Sequence, residues 1–159
     1  MEKLIKLEKL LKKTNMCDKV FRCGEYIGNG AFMIDESLTD IGKFIVSEEC
    51  VKCINPEWSY HNMDDADSIS KTKGARDGIA IEPANEWHAT DACVNRHGKT
   101  WMRVFKQNAS TNDCEELLLN EEYVKAFELQ YVYANDNHSM CRDYFGQILV
   151  MSYKPRGAK

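Results

Sequence analysis

Residues 19 to 34 read Lys19-Val-Phe-Arg-Cys-Gly-Glu-Tyr-Ile-Gly-Asn-Gly-Ala-Phe-Met-Ile34. Two runs rich in apolar residues, 19–27 and 31–34, flank Gly28-Asn29-Gly30. Glycine reaches positive φ without steric cost, so the triplet supplies the backbone that a tight turn needs. The segment predicts an antiparallel hairpin and makes a sheet the organising element of the chain.

On its N-terminal side, Leu4, Ile5, Leu7, Leu10 and Leu11 recur at helical spacing among Lys3, Lys6, Lys9, Lys12 and Lys13. This predicts an amphipathic helix of about three turns, stopping at Thr14-Asn15. On the C-terminal side, 42–47 reads as a strand, and the polar stretch 55–77 reads as an exposed loop. Residues 78–82 read as a short apolar strand. Residues 87–94 and 99–105 read as strands joined by the turn Asn95-Arg-His-Gly98. Leu117 to Leu119 finish another. Asn120 then caps a second helix with Tyr123, Val124 and Phe127 on one face, and Glu121 and Glu122 complement its N-terminal dipole. Residues 131–134 and 146–153 read as the last strands. The expectation is one α+β domain over 1–159, a mostly antiparallel sheet with two amphipathic helices on one face.

With 159 residues, 43% hydrophobic and 29% charged, the chain is neither disordered nor collagen-like. It should bury about 70% of its unfolded surface and needs no disulfide or metal to hold a core. A net charge of −4 and a pI near 5.6 exclude a uniformly basic nucleic-acid binder. The charge is uneven: residues 1–22 carry a net +4, 35–67 a net −7, 71–106 a net +3 and 113–136 a net −6. Seven cysteines, an odd count, fit a reducing compartment, with Cys93 and Cys114 as core fillers. Neither a secretory pattern nor an apolar run approaching about 18–20 residues occurs, so a cytoplasmic protein with no membrane partner is expected.

Few motifs carry chemistry. Cys50-Val-Lys-Cys53 offers half of a zinc site, and Cys17, Cys23 and His61 complete no familiar spacing; ordinary thiols are expected. Cys93 and His97, four apart across a turn, read as a strand cysteine and a turn histidine. Asp64, Asp65 and Asp67 lack the later glycine and glutamate of a calcium loop. Gly24, Gly28 and Gly30 form no dinucleotide fingerprint, and a phosphate loop is missing, so no cofactor is expected. Lys71, Lys73 and Arg76, with Arg96, Lys99 and Arg103, supply cations for phosphates or a partner, and Trp58 and Tyr60 supply rings for stacking.

Gly24-Glu-Tyr-Ile-Gly-Asn-Gly-Ala-Phe-Met-Ile34, His88-Ala-Thr-Asp91, Leu119-Asn-Glu-Glu-Tyr-Val124 and Gly146-Gln-Ile-Leu-Val-Met-Ser-Tyr-Lys-Pro155 form an ordered set. Together the pattern resembles small bacteriophage proteins built like a single repeat of the bacterial DNA-polymerase sliding clamp. The resemblance implies a clamp-repeat-like α+β fold. Ala89-Thr-Asp91 lacks a following Gly-x-Arg, and the closing strand lacks Met-Pro. The functional expectation is a non-catalytic binding module acting through protein contacts, a phage accessory protein aimed at a host nucleic-acid or defence enzyme. The alternative is direct DNA or RNA binding through 71–106 and the N-terminal helix. A zinc-stabilised module around Cys50 and Cys53 is the third reading.

Overall fold

The computed structural model describes residues 4–14, 18–40, 47–96, 100–107, 116–135 and 137–153. The chain divides into two compact units, 1–75 and 76–159. Both combine helices with a mostly antiparallel sheet, so the α+β class expected from the sequence holds.

In the first unit, helix α1 (Leu7–Thr14) buries Leu7, Leu10 and Leu11, the i, i+3, i+4 stripe read from the sequence. Asp40 Oδ1 accepts the Leu7 N–H at 3.0 Å, satisfying an otherwise orphaned donor of the first turn. Strands β1 (Lys19–Cys23), β2 (Tyr26–Gly28) and β3 (Phe32–Asp35) form an antiparallel meander. The expected 19–27 strand is therefore broken in the middle. Gly24, at φ +59°, opens a two-residue turn with Glu25 that Cys23 and Tyr26 close. Positive φ at only the first central position is the signature of a type II′ turn. Strand β4 (Ser59–Asn62) adds parallel to β1, giving the order β4-β1-β2-β3. Val20, Ile27, Phe32, Ile34 and Val51 form the buried interior.

Two helices stand where none was expected. Helix α2 (Glu48–Ile54) carries Cys50 and Cys53, and the Ser47 side chain caps it by accepting from Cys50 N–H at 3.2 Å. Helix α3 (Ala66–Asp77) occupies most of the stretch read as a loop. Asp65 caps it by accepting from both the N–H and the hydroxyl of Ser68. The residues of the expected strand 42–47 lie outside the described residues except Ser47, which is that cap.

In the second unit the sheet runs β10-β9-β8-β5-β6-β7, every neighbouring pair antiparallel. Its strands are β5 (Glu86–Arg96), β6 (Thr100–Gln107), β7 (Leu117–Asn120), β8 (Tyr131–Ala134), β9 (Met140–Arg142) and β10 (Ile148–Met151). Helix α4 (Glu121–Phe127) follows β7 directly, with the Asn120 side chain accepting from Glu122 N–H at 2.8 Å as expected. Trp87, Phe105, Leu119, Tyr123, Val132 and Val150 are fully buried. The expected strand 78–82 is absent. Pro83 has no N–H to give a ladder, and Asn85 Nδ2 donates to the Ala80 carbonyl at 2.7 Å, bending the segment into a short 3-10 turn. Strand β9 was not anticipated. Among the described residues no helix is long and apolar enough to cross a membrane.

Candidate functional site

Within α3 the basic residues singled out by sequence do not stand as one row. On α3, Lys71 and Lys73 are two positions apart, roughly 200° around the helix, so they face different ways. Lys71 pairs with Asp67 at 3.0 Å, and Arg76 with its neighbour Asp77 at 2.8 Å. Arg103 is tied to Glu121 at 2.7 Å. Lys99 and the side chain of Arg96 lie outside the described residues. Trp58 is only 6% exposed, which corrects its expected role: almost none of its ring is left for a base. Tyr60 is half-buried, and burial pushes its hydroxyl pKa up. Asp64 Oδ1 accepts the Gly24 N–H at 2.8 Å, so this acidic stretch braces a turn and caps a helix. Cys50 and Cys53 lie one turn apart on α2, and among the described residues no three His, Cys, Asp or Glu side chains gather to hold a metal.

A polar cluster in the second unit escaped the sequence reading. Arg103 on β6 donates through Nε and Nη2 to Glu121 Oε2 at 3.0 and 2.7 Å, and through Nη1 to the Thr90 carbonyl at 3.1 Å. The Cys93 thiol donates to the same carboxylate oxygen at 2.6 Å. Burial alone pushes Glu121 toward its neutral form. The Cys93 and Arg103 hydrogen bonds and the guanidinium charge outweigh it, so the pKa lies below the ordinary glutamate range. Burial and the neighbouring carboxylate hold the Cys93 thiol above its usual pKa, hence protonated.

Beside this cluster the β5–β6 ladder slips. Ala89 pairs with Phe105 and Cys93 with Arg103, so three residues of β5 face one of β6. The excess is two residues, which keeps the side-chain alternation while bending the strand. Thr90 fastens the bulge by donating to the Val104 carbonyl at 2.8 Å. The expected pairing of 87–94 with 99–105 is present as β5–β6, and Thr90 and Asp91 lie in its bulge. The bulge lines a cavity of about 590 Å³ together with Arg103 and the exit of α4.

A second feature is aromatic. Tyr131, Tyr133, Tyr144 and Phe145 form a chain of ring contacts at 6.3, 6.4 and 5.3 Å between centroids. Tyr144 and Phe145 are 54% and 77% exposed, yet their turn is held firmly. Asp143 Oδ1 accepts from the N–H groups of Gln147 and Ile148. Arg142 donates to the carbonyls of Arg76, Asp143 and Tyr144. Behind the rings, Glu86 accepts from Tyr133 OH at 2.8 Å and contacts His88 Nε2 at 2.5 Å. The Tyr133 bond holds the Glu86 carboxyl below its usual pKa, while burial and Glu86 push Tyr133 up to about 12. Apart from the Tyr-Phe-Gly order of the turn, nothing in the sequence advertises this surface.

Thiol reactivity tests the polar cluster. Iodoacetamide at mildly alkaline pH is expected to label exposed Cys53 far faster than Cys93, with buried Cys23 and Cys141 reacting only on unfolding. Peptide mass mapping over time reads the order. Equal rates at Cys93 and Cys53 would contradict the thiol–carboxylate bond.

Set against models of protein families, curated proteins and solved structures, the chain matches none of them.

Proposed function

We propose that the chain is a non-catalytic binding module that engages a partner protein through the aromatic surface of its second unit. The observation that carries this reading is Phe145, 77% exposed on a turn fastened from both sides by Asp143 and Arg142. An aromatic side chain held out rigidly loses little conformational entropy when buried, and such residues dominate interface energies. The partner is a protein with an apolar socket rimmed by lysine or arginine. Its cations would answer the Glu86 carboxylate, which accepts from Tyr133 OH behind the rings. The same acidity disfavours a phosphate backbone.

The phage-accessory reading, with a host nucleic-acid or defence enzyme as target, belongs to this proposal. Each unit has a helix followed, directly or nearly so, by a three-stranded antiparallel meander, α1-β1-β2-β3 and α4-β8-β9-β10. Gly24–Ile34 lies in the first meander and Gly146–Tyr153 contains the closing strand of the second, which supports the likeness to a clamp repeat.

Affinity capture from bacterial lysate, comparing the native chain with a Tyr144→Ser, Phe145→Ser variant, tests the reading. A partner recovered at least tenfold less by the variant is the expected result. Equal recovery by both chains, or no partner at low salt, would overturn it. A low-salt mobility shift with DNA or RNA that Lys73→Glu and Arg76→Glu abolish would overturn it in favour of nucleic acid.

A further inference from the structure

Tyr144 and Phe145 are the two central residues of the β9–β10 turn, which closes where Gly146 N–H donates to the Asp143 carbonyl at 3.3 Å. Their ring centroids lie 5.3 Å apart with the planes at 83° to one another. Both residues stand more than half exposed, so the two rings form an open, right-angled corner. We propose, resting on the aromatic surface as a protein contact, that the partner fills this corner with an arginine side chain.

The right angle matters because an aromatic ring is negative on its face and positive at its edge, and attracts a cation within about 6 Å of the centroid on the face. Stacked rings hide the faces between them. Perpendicular rings in contact leave a corner walled by one face of each, and a single cation there lies over both. A guanidinium suits such a corner better than an ammonium because it is flat: it stacks on one ring and turns its N–H edge to the face of the other. The corner is formed before binding, since the bonds from Arg142 and to Asp143 that hold the turn lie within the chain itself.

Charge points the same way. Beside the turn, Arg76 is paired with Asp77, and Asp143 follows Arg142 directly in the chain. With histidine counted as neutral, Glu86 is the surplus charge of the patch. It is tied to the rings through Tyr133, whose hydroxyl donates to it at 2.8 Å and whose centroid lies 6.4 Å from that of Tyr144. That bond keeps the Glu86 carboxylate ionised. Tyr133 is buried, so it backs the corner and the exposed rings line it. An anionic side chain of the partner would meet ring faces and a carboxylate, both repulsive. A neutral one would leave the carboxylate unanswered.

Selection from a library of random dodecapeptides on the full chain, with counter-selection on the Tyr144→Ser, Phe145→Ser variant, tests the proposal. The enriched peptides are expected to share an arginine. Exchanging it for citrulline, which keeps the planar shape and removes the charge, should weaken binding at least tenfold by fluorescence polarisation, and exchanging it for lysine at least threefold. Phe145→Leu keeps an apolar side chain at this exposed position and removes the ring. It is expected to weaken the arginine peptide at least tenfold with an unchanged melting curve. Glu86→Gln, whose amide oxygen can still accept from Tyr133, should weaken it at least threefold. Enriched peptides without arginine, or equal affinity of the citrulline or lysine peptide, would overturn the arginine seat and leave a protein contact through the rings standing. Native affinity in either variant, or no enrichment at all, would overturn the seat as well. The lysate capture decides the broader reading by itself.

Discussion

Gly28→Ala is expected to cost the protein about 3–5 kcal/mol, near the top of the range for single substitutions. A Cβ at this position would stand 1.9 Å from the Phe32 carbonyl oxygen, 2.8 Å from its carbon and 3.0 Å from Met33 Cα. All three are backbone atoms across the turn, so no rotamer change relieves the overlap. The strands must part instead. Ile27 and Ile34 are register partners and fully buried, so separation opens the interior of the first unit. Gly74→Ala is the control. Gly74 lies within α3 with nothing inside 4 Å of its added Cβ, and alanine there should gain about 0.5–1 kcal/mol from the restricted unfolded chain. Urea unfolding of the two variants measures the contrast. A Gly28→Ala protein within about 1 kcal/mol of the native chain would mean that the β2–β3 turn is not so tight.

What could be read from sequence follows from how locally each feature is encoded. The Gly28-Asn29-Gly30 turn was legible because its chemistry lies within three residues: Asn29 Oδ1 accepts from Ala31 and Phe32 N–H, and Gly30 takes φ +94°. Asn120 was legible as a cap for the same reason. The Gly24 turn was hidden inside an apparently continuous run, since Glu25 is not a residue that marks turns. Helix α3 has no buried residue, so there was no apolar stripe to find; the Asp65 cap and the Asp67–Lys71 pair are its only local marks. Ser47-Glu48-Glu49 did announce α2, but the apolar residues before it drew Ser47 into a strand. The polar cluster had no sequence signature. Cys93 and Glu121 are 28 residues apart, and Arg103 and Glu121 are 18 apart. They meet because β6 lies between β5 and β7 and α4 begins where β7 ends. Arg103 was noticed for its charge, whereas its role depends on a carboxylate read only as a dipole partner.

That carboxylate carries the second large effect. Glu121→Ala is expected to destabilise the protein by about 3 kcal/mol at neutral pH, because it leaves the Arg103 guanidinium and the Cys93 thiol without their shared acceptor. Glu121 is 7% exposed, and its Oε1 is buried with no partner, so the native pair already carries a desolvation cost. Replacing both members, Glu121→Leu with Arg103→Leu, should therefore cost clearly less than the two single changes together. The pH dependence separates a charge effect from lost packing. With its folded pKa below the ordinary glutamate range, Glu121 adds stability that is fully present above that range and is lost as pH falls through the folded value. The native chain should lose more stability than Glu121→Ala between pH 7 and about pH 3, below the ordinary glutamate value, bringing the two melting curves closer in acid. Urea midpoints at both pH values give the comparison. A gap that stays constant with pH would mean that Glu121 acts through its shape and not through its charge, and a fully additive double replacement would dissolve the coupling to Arg103.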